Sequence, residues 1–176
     1  MAQDTLISFE NLQKALEEYG KEAKAQYQKN LLEMRYTKGK NPVLTNRIAS
    51  GELYNSVQSL VIVNGQRYSV VLSLADYWKY IENGRPAGKF PPTSKILEWI
   101  TVKPVIPRPD DFGRIPTPKQ LAFLIGRKIA NDGSEGSHEL KNASDTIYNK
   151  YHSKIVAALS KDLGGYLEKI VIQNGL

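Results

Sequence analysis

Apolar residues recur every three or four positions along the first part of the chain, which is the spacing of one helix face. Ser8 can cap this helix, which we predict to run from about Phe9 to Met34. At 1.5 Å per residue it would be about 39 Å long, more than a core of this size needs. We therefore expect part of it to contact another subunit; packing wholly on its own domain is the alternative. The residues at this spacing are Phe9, Leu12, Leu16, Tyr19, Ala23, Gln26 and Asn30, which stay apolar as far as Ala23, and a neighbouring stripe of Tyr27, Leu31 and Met34 continues the face.

A β-hairpin is the clearest local prediction. The segments 60–63 and 66–70 flank Asn64-Gly65, a dipeptide that two-residue type I′ turns prefer because both positions need positive φ. This turn places Val61 opposite Tyr68, and the second strand is expected to reach Leu74. A lone hairpin is marginally stable in water, so it should pack on the long helices or join other strands. The face assigned to the core carries Val61, Val63, Tyr68, Val70 and Leu72.

An aromatic helix, a basic Gly/Pro loop and a second amphipathic helix follow between residues 77 and 100. We expect Asp76 to cap the first helix and Gly84 to end it in a left-handed conformation. Prolines stop any helix in the loop, and the next helix begins at Thr93 or Ser94. Such loops serve recognition more often than packing. The loop's shape is assigned to Gly84, Pro86, Gly88, Pro91 and Pro92, its anchors to Trp78, Tyr80 and Trp99, and the buried side of the second helix to Ile96, Leu97, Trp99 and Ile100.

Polar or proline-rich segments separate the remaining elements. Residues 37–46 are predicted to be a loop, and Asn46 can cap a short helix that ends at Tyr54 or Val57. Residues 101–116 hold four prolines and are predicted to be an exposed excursion. The polar, glycine-containing segment 134–142 is expected to be mobile.

Two further helices are predicted in the C-terminal half. Thr117 and Gln120 form a capping box, with proline at the first helical position, before an apolar helix that ends near Gly133. The last helix carries a stripe of apolar residues and is expected to break at Gly164-Gly165. Periodicity leaves open whether residues 166–173 form helix or edge strand. The stripe consists of Ile147, Tyr151, Ile155, Ala158 and Leu159.

Together these elements predict an α+β fold, in which a β-hairpin or small antiparallel sheet is packed by several helices, with long N-terminal and C-terminal helices. A length of 176 residues with 41% hydrophobic content suits a single domain spanning 1–176. It divides into the N-terminal helix (1–36), a central core (46–133) and a C-terminal helical segment (144–176). No window approaches the roughly 20 apolar residues of a membrane span, and the first residues do not resemble a signal peptide. We therefore expect a soluble protein, and the absence of cysteine excludes disulfides and thiolate chemistry.

The positive charge is concentrated in one window. The chain nets +6, and residues 85–128 alone hold nine Lys/Arg against three acidic residues. A basic surface can face nucleic acid or an acidic partner, and ordinary solvated cations are the alternative. Phosphate contacts that do not depend on base sequence need only cations beside a stacking aromatic ring. The residues that fit this role are Arg85, Lys89, Phe90, Arg108 and Arg114, although Phe90 is equally explained as a plug that pins the loop to its domain.

Catalytic and metal-binding patterns are missing from the sequence. The segment from Gly84 to Phe90 superficially resembles a phosphate-binding loop, but the glycine spacing is short, no Ser/Thr follows the lysine, and a helix precedes it. His138 and His152 are too far apart in sequence for a ligand pair, and no nucleophile elbow occurs. We expect a protein that is not an enzyme and has no cofactor, no metal and no catalytic residue.

Several ordered segments resemble the neck, head-to-tail connector and tail-completion proteins of tailed bacteriophages. Members of that family carry a loop with tyrosine, a hydrophobic residue, glutamate, Gly-Arg, Pro-Gly-Lys and Pro-Pro in order, and a later helix with Arg-Lys-Ile that ends at glycine. A short Gly-x-Leu element precedes the family's hairpin. The matching segments, within residues 46–133, are Ser50 to Val57, Tyr80-Ile-Glu-Asn-Gly-Arg-Pro-Ala-Gly-Lys-Phe-Pro-Pro, Ile96-Leu-Glu-Trp-Ile and Leu121-Ala-Phe-Leu-Ile-Gly-Arg-Lys-Ile-Ala-Asn-Asp-Gly133.

This resemblance implies a virion subunit, made in the host bacterial cytoplasm, that forms a ring homo-oligomer at the portal–tail junction. Its partners would be portal and tail proteins, with sequence-independent contact to genomic double-stranded DNA and no membrane contact. The chain departs from the family in its proline-rich segment 101–116 and in having 134–142 where the family carries Pro-Phe-Leu-Pro. The alternative is a DNA-associated, non-enzymatic oligomeric protein that uses the basic window 85–128 directly.

Overall fold

The computed structural model describes residues 8–36, 44–103 and 105–174. Within them it confirms the α+β prediction, with long helices towards both ends and an antiparallel hairpin. Residues 37–43 of the predicted loop 37–46, and Pro104, lie outside the described residues, whereas Leu44–Thr45 of that loop form a short strand. The helices are α1 (Glu10–Leu32), α2 (Glu52–Ser56), α3 (Trp78–Asn83), α4 (Thr93–Val102), α5 (Pro118–Asp132) and α6 (Glu139–Gln173). The strands are β1 (Arg35–Tyr36), β2 (Leu44–Thr45), β3 (Gln58–Asn64), β4 (Arg67–Ser73), β5 (Gly84–Arg85) and β6 (Ser134–Glu135), paired antiparallel as β1–β2, β3–β4 and β5–β6.

The described residues group into two compact units. The first holds 8–30, 57–73 and 140–174, and the second holds 31–36, 44–56 and 74–139 except Pro104. The first unit is therefore built from α1, the β3–β4 hairpin and α6, and the second from the shorter elements. The expectation of a single domain stays a prediction.

The core of the first unit lies between α1, α6 and the hairpin. Ala23, Ile147 and Tyr151 are buried together, and Tyr19, Leu72 and Ile155 pack around them. Gly20 is buried where α1 meets the hairpin. A Cβ added at this position would clash with the Ser59 side chain and lie 3.0 Å from the Val70 side chain. A glycine is therefore what lets the hairpin approach α1 closely.

A carboxylate of α6 caps the start of α1. Asp162 accepts hydrogen bonds from the backbone N–H of Leu12 at 2.8 Å and of Asn11 at 3.2 Å, and from the Asn11 side chain at 2.5 Å. These N–H groups have no partner inside the helix, so an acidic side chain satisfies them as an N-cap residue would. Burial raises the pKa of Asp162, but the hydrogen bonds from Asn11 and Leu12 more than offset it, and the pKa is lowered overall. Because α1 begins at Glu10, Phe9 rather than Ser8 holds the N-cap position; the predicted Ser8 cap is wrong, and a residue of another helix supplies the acceptor.

The hairpin forms as predicted, but its register differs by two residues. Asn64 pairs with Arg67 and Val61 with Val70, so Gly65 and Gln66 form the turn. Gly65 has φ 58°, and a glycine at the first central position suits a type II′ turn rather than the type I′ turn expected. A shift of two residues keeps every side chain on its predicted face, because strand side chains alternate with period two. Val63, predicted to face the core, is nevertheless 45% exposed near the turn.

The last helix does not break at its glycine pair. α6 continues through Gly164 and Gly165 to Gln173, so the tail is helix rather than strand, and the predicted break is wrong. Glycine in a helix interior costs about 1 kcal/mol relative to alanine, which well-formed helix on both sides can absorb. His152 lies exposed on this helix.

The core of the second unit lies between α4 and α5. Ile96, Ile100 and Ala122 are buried together, and Leu97, Val105, Leu121 and Ile125 are packed against them. The capping box of α5 is confirmed: the Thr117 hydroxyl accepts from the Gln120 N–H, and the Gln120 side chain accepts from the Thr117 N–H at 2.9 Å.

Two further predicted caps are wrong. Asn46 accepts a hydrogen bond from the Ile48 N–H at 3.1 Å, and this local turn lies six residues before α2 begins at Glu52. Asp76 lies in the turn before α3, where Tyr77 holds the N-cap position without a side-chain hydrogen bond. In both cases the backbone forms a turn before it becomes helical, which moves the helix start beyond the reach of the side chain.

Candidate interaction site

The basic loop that follows α3 is held in place by a short pair of strands. Gly84 pairs with Glu135, and Arg85 pairs with Ser134. Gly84 ends α3 with φ 76° and ψ −167°, a conformation that is essentially restricted to glycine. The helix therefore ends at the predicted residue, but the chain leaves it as a strand rather than in the left-handed helical conformation. An added Cβ at Gly84 would also clash with the Ser134 carbonyl.

A second glycine, Gly133, also lies close to the backbone of the opposite strand. Gly133 ends α5 with φ 72° and ψ −165°, and an added Cβ would lie 2.5 Å from the Arg85 carbonyl oxygen. The Ser137 N–H donates to the Ile81 carbonyl at 2.8 Å, and the His138 N–H to the Glu82 carbonyl at 3.2 Å. The prediction of a mobile segment 134–142 is therefore wrong, because its backbone is paired with the end of α3 and then enters α6.

The tip of the loop is fixed to α5. The Gly88 N–H donates to the Ala130 carbonyl at 2.7 Å. The Phe90 ring lies 5.5 Å from the Phe123 ring, and a Cβ at Gly126 would be 2.7 Å from it. Phe90 thus pins the loop, although 43% of the residue is exposed and remains available for contact. Among the predicted shaping prolines, Pro91 is buried, whereas Pro86 and Pro92 are exposed.

Two of the three predicted aromatic anchors do not enter the core. Tyr80 is 47% exposed and Trp99 is 41% exposed, while Trp78 is partly buried. Trp99 lies at the edge of the α4 face that Ile96 and Ile100 define, so its ring borders the core rather than entering it. The Tyr80 ring supports Arg85, whose guanidinium lies 4.8 Å from the ring centroid.

A tight turn shapes the excursion between α4 and α5. Asp110 accepts from the N–H groups of Phe112 and Arg114, each at 2.9 Å, and from the Arg114 Nε at 2.8 Å. The hydrogen bond from the Arg114 N–H is the largest cause of the lowered pKa of Asp110. Arg114 also lies 5.1 Å from the Phe112 ring. Much of the Arg114 charge is therefore engaged within its own loop.

The excursion and α5 enclose an open groove of about 790 Å³. We call it the α5 groove, and it is lined by Arg108, Asp110, Arg114, Ile115, Pro116, Lys119, Gln120, Phe123 and Leu124. Phe123 also contacts Phe90, so the groove adjoins the loop that carries Arg85 and Lys89. The structure thus brings Phe90, Arg108 and Arg114 to one region, whereas Arg85 and Lys89 do not line the groove. Sequence reasoning missed Lys119 and Leu124, although the helical spacing of Gln120, Phe123 and Leu124 marks one face of α5.

A buried ionic cluster was not predicted. Glu139 is fully buried at the start of α6, and its carboxylate lies 2.6 Å from the Arg35 guanidinium and 3.9 Å from that of Arg47. Burial raises the pKa of Glu139, while Arg35 and Arg47 lower it, and the pKa is raised overall. The only sequence signal was a carboxylate at the start of a helix, because the two arginines come from about a hundred residues earlier. Arg35 also pairs with the exposed Glu33 at 2.6 Å, so the arrangement is a network of two carboxylates and two cations, as expected of a structural ion cluster.

Nearby, Lys103 is bound by backbone carbonyl groups rather than by a carboxylate. Its ammonium donates to the carbonyl oxygens of Asn46 and of Ile48, the latter at 3.3 Å. Burial lowers the pKa of Lys103, and Arg47 lowers it further. This lysine belongs to the basic window by sequence, yet its charge serves the packing of the second unit.

Residues 8–36, 44–103 and 105–174 contain no group of three His, Cys, Asp or Glu side chains placed to hold a metal ion. Over the same ranges, no helix combines the length and apolar character that crossing a membrane requires. Comparison with known proteins found no matching family model, curated protein or solved structure.

Proposed function

We propose that this chain is a structural virion protein of a tailed bacteriophage, a neck or tail-completion subunit. It would assemble into a ring around the DNA exit channel and join the portal to the tail. The protein would be made in the host cytoplasm and reside in the virion neck. This role needs no catalytic group and no cofactor.

The observation that carries the proposal is the fixed basic loop between α3 and α4. The segment that resembles the phage family is the one that β5–β6 pairing, the Gly88–Ala130 hydrogen bond and Phe90 hold in place. A loop that keeps one conformation before binding avoids the entropy cost of ordering on assembly. Arg85 and Lys89 are thereby presented on a fixed frame, as an assembly contact requires.

Charge pairing within the basic window favours protein contacts over direct DNA binding. Lys95 pairs with Glu98 at 2.9 Å and Arg114 with Asp110 at 2.8 Å, and Lys103 is engaged by backbone carbonyls. At least three of the nine cations are therefore engaged by neighbouring groups of the same chain. A protein that bound duplex DNA through this window would show steeply salt-dependent affinity, because each phosphate contact releases counterions. Weak duplex binding by the purified chain is what the neck role predicts.

Native mass measurement of the complex extracted from particles tests the proposed ring. A multiple of the subunit mass is expected, and a protein found only as monomer in mature virions would contradict it.

Replacing Arg85 and Lys89 with glutamate should leave folding intact and reduce infectious particles. The matched control replaces Lys14 and Lys21, two exposed lysines of α1, with the same change in charge. Normal infectious particles from the Arg85/Lys89 variant would contradict a role of the loop in assembly.

A further inference from the structure

Two exposed apolar surfaces differ in their charge. The α5 groove combines apolar walls with three cations and one carboxylate. The other surface is the last part of α6, which we call the α6 end. It is formed by Leu163, Leu167, Glu168, Val171 and Ile172, and all four of its apolar residues are exposed. Apolar residues clustered on an exposed surface mark interaction sites more often than chance.

The α6 end extends beyond the helix contact that holds α6. Asp162 is the residue that caps α1, and α6 then continues to Gln173, about 16 Å further at 1.5 Å per residue. The exposed apolar residues Leu159, Leu163, Leu167 and Val171 recur at four-residue spacing, which aligns them along one stripe of the helix. A side cleft of about 340 Å³ is lined by Leu167, Glu168, Val171 and Ile172.

The two surfaces are complementary in charge as well as in apolar character. Lys119 lines the groove, and within the part of the chain that the structure describes it forms no ion pair. Glu168 is likewise exposed and is in no ion pair among those residues. Interfaces place apolar side chains at the centre and charges at the rim, where opposite charges fix the register. Leu167 and Val171 would supply the centre, and Glu168 the rim.

We infer that the α6 end of one copy docks into the α5 groove of a second copy of this chain. The two surfaces are different, so the contact is heterologous, and repeating it produces a closed ring or an open filament. The inference rests on the proposed ring and names the surfaces that join its subunits. Glu168 of one copy pairs with Lys119 of the next, and the leucines enter the apolar part of the groove.

An apolar-to-charged substitution tests the centre of the contact. Sedimentation equilibrium of the purified full chain should show self-association, and Leu167→Asp should weaken it on the order of 100-fold, as expected for a central apolar contact. The matched control is Leu60→Asp, because Leu60 is 54% exposed and Leu167 is 60% exposed. Equal loss of association in both variants, or a wild-type chain that stays monomeric at all concentrations, would overturn the inference.

Charge reversal tests the pairing of the two surfaces. Lys119→Glu and Glu168→Lys should each weaken association about tenfold, because like charges then meet. The double variant should recover most of the wild-type affinity, since every copy carries both reversed charges. If the association of the double variant is weakened by as much as the two single changes added together, the proposed pairing is contradicted.

Single cysteines distinguish contact between copies from contact within one chain. The chain has no cysteine, so Lys119→Cys and Glu168→Cys can be made on separate copies and mixed. A mixed disulfide dimer is expected on oxidation, with Lys128→Cys as the control on the same helix. If a chain with both cysteines links only within itself, the inference fails. Virions in which this protein forms no ring would contradict the proposed function. The cysteine and sedimentation experiments use purified chains, so they test the interface independently of that function.

Discussion

The loop after α3 and the end of α6 both expose side chains that can bind a partner, but they are held in different ways. The loop is fixed by strand pairing at residues 84–85, by a backbone hydrogen bond at Gly88 and by the Phe90 ring. The α6 end is a single helix in which Gly164 and Gly165 have no atom within 4 Å of an added Cβ. The first surface is preformed by tertiary contacts, whereas the second depends on helix propensity until a partner packs against it.

Glycines play opposite roles in the two regions. Gly84 and Gly133 are required, since their positive φ and the neighbouring backbone both exclude a side chain. The α6 glycines lie in open space and only reduce helix stability. The difference teaches that a glycine must be judged by what surrounds it, and it predicts substitutions of opposite sign.

The largest effect is expected at the loop. Gly84→Ala should destabilise the protein by about 3 kcal/mol, because the strained positive φ adds to a clash with the Ser134 carbonyl. Urea denaturation followed by circular dichroism measures it. Gly88→Ala is the control, since Gly88 has φ 113° but open space around it, and should lose less. Equal losses at both positions would show that backbone strain alone matters and that β5–β6 packing adds little.

A smaller loss is expected where α6 caps α1. Asp162→Ala should destabilise the protein by about 1–2 kcal/mol, because two N–H groups of the first helical turn lose their acceptor. The folded-state pKa of Asp162 is lowered, so its contribution is complete above the ordinary pKa of about 3.9 and is lost as pH falls through the folded value. Thermal unfolding should therefore show a gap between wild type and variant at pH 7 that closes under strong acid. A gap independent of pH would contradict the ionised cap.

The opposite sign is expected at the end of α6. Gly164→Ala should stabilise the isolated chain by about 1 kcal/mol, because alanine is the better helix former and meets nothing. Thermal unfolding at low protein concentration checks the change, and Gly133→Ala, which is sterically excluded, should instead destabilise. A loss of stability in Gly164→Ala would show that these glycines are packed in the isolated chain.

What the sequence predicted well is encoded within a few residues. The capping box of Thr117 and Gln120, the hairpin faces and the helix end at Gly84 all follow from local backbone preferences. The predicted hairpin register was wrong by two residues, because Asn64 and Gly65 suit two turn types. The predicted alternation of faces was not affected.

What could not be predicted joins residues far apart in the chain. Arg85 bonds to Ser134 across 49 residues, and Asp162 caps α1 across 150 residues. No local pattern in segment 134–142 shows that its strand partner lies at Gly84–Arg85, so polarity alone suggested mobility. The α5 groove likewise forms only when the excursion folds back along α5. The anchoring role given to Trp99 failed for a finer reason, because one helical position separates the buried face from its edge.

The smallest effect is expected at the rim of the loop, where Arg85 lies over Tyr80. A cation–π contact at an exposed site contributes about 0.5–1 kcal/mol. Tyr80→Leu keeps an apolar side chain and removes the ring, so it should lose about 0.5 kcal/mol, and Arg85→Met should lose a similar amount. The double variant should lose less than the sum, with a coupling energy of about 0.5 kcal/mol from urea denaturation of all four proteins. Strict additivity would mean that Arg85 is held by β5–β6 pairing alone and that the Tyr80 ring is free to serve a partner.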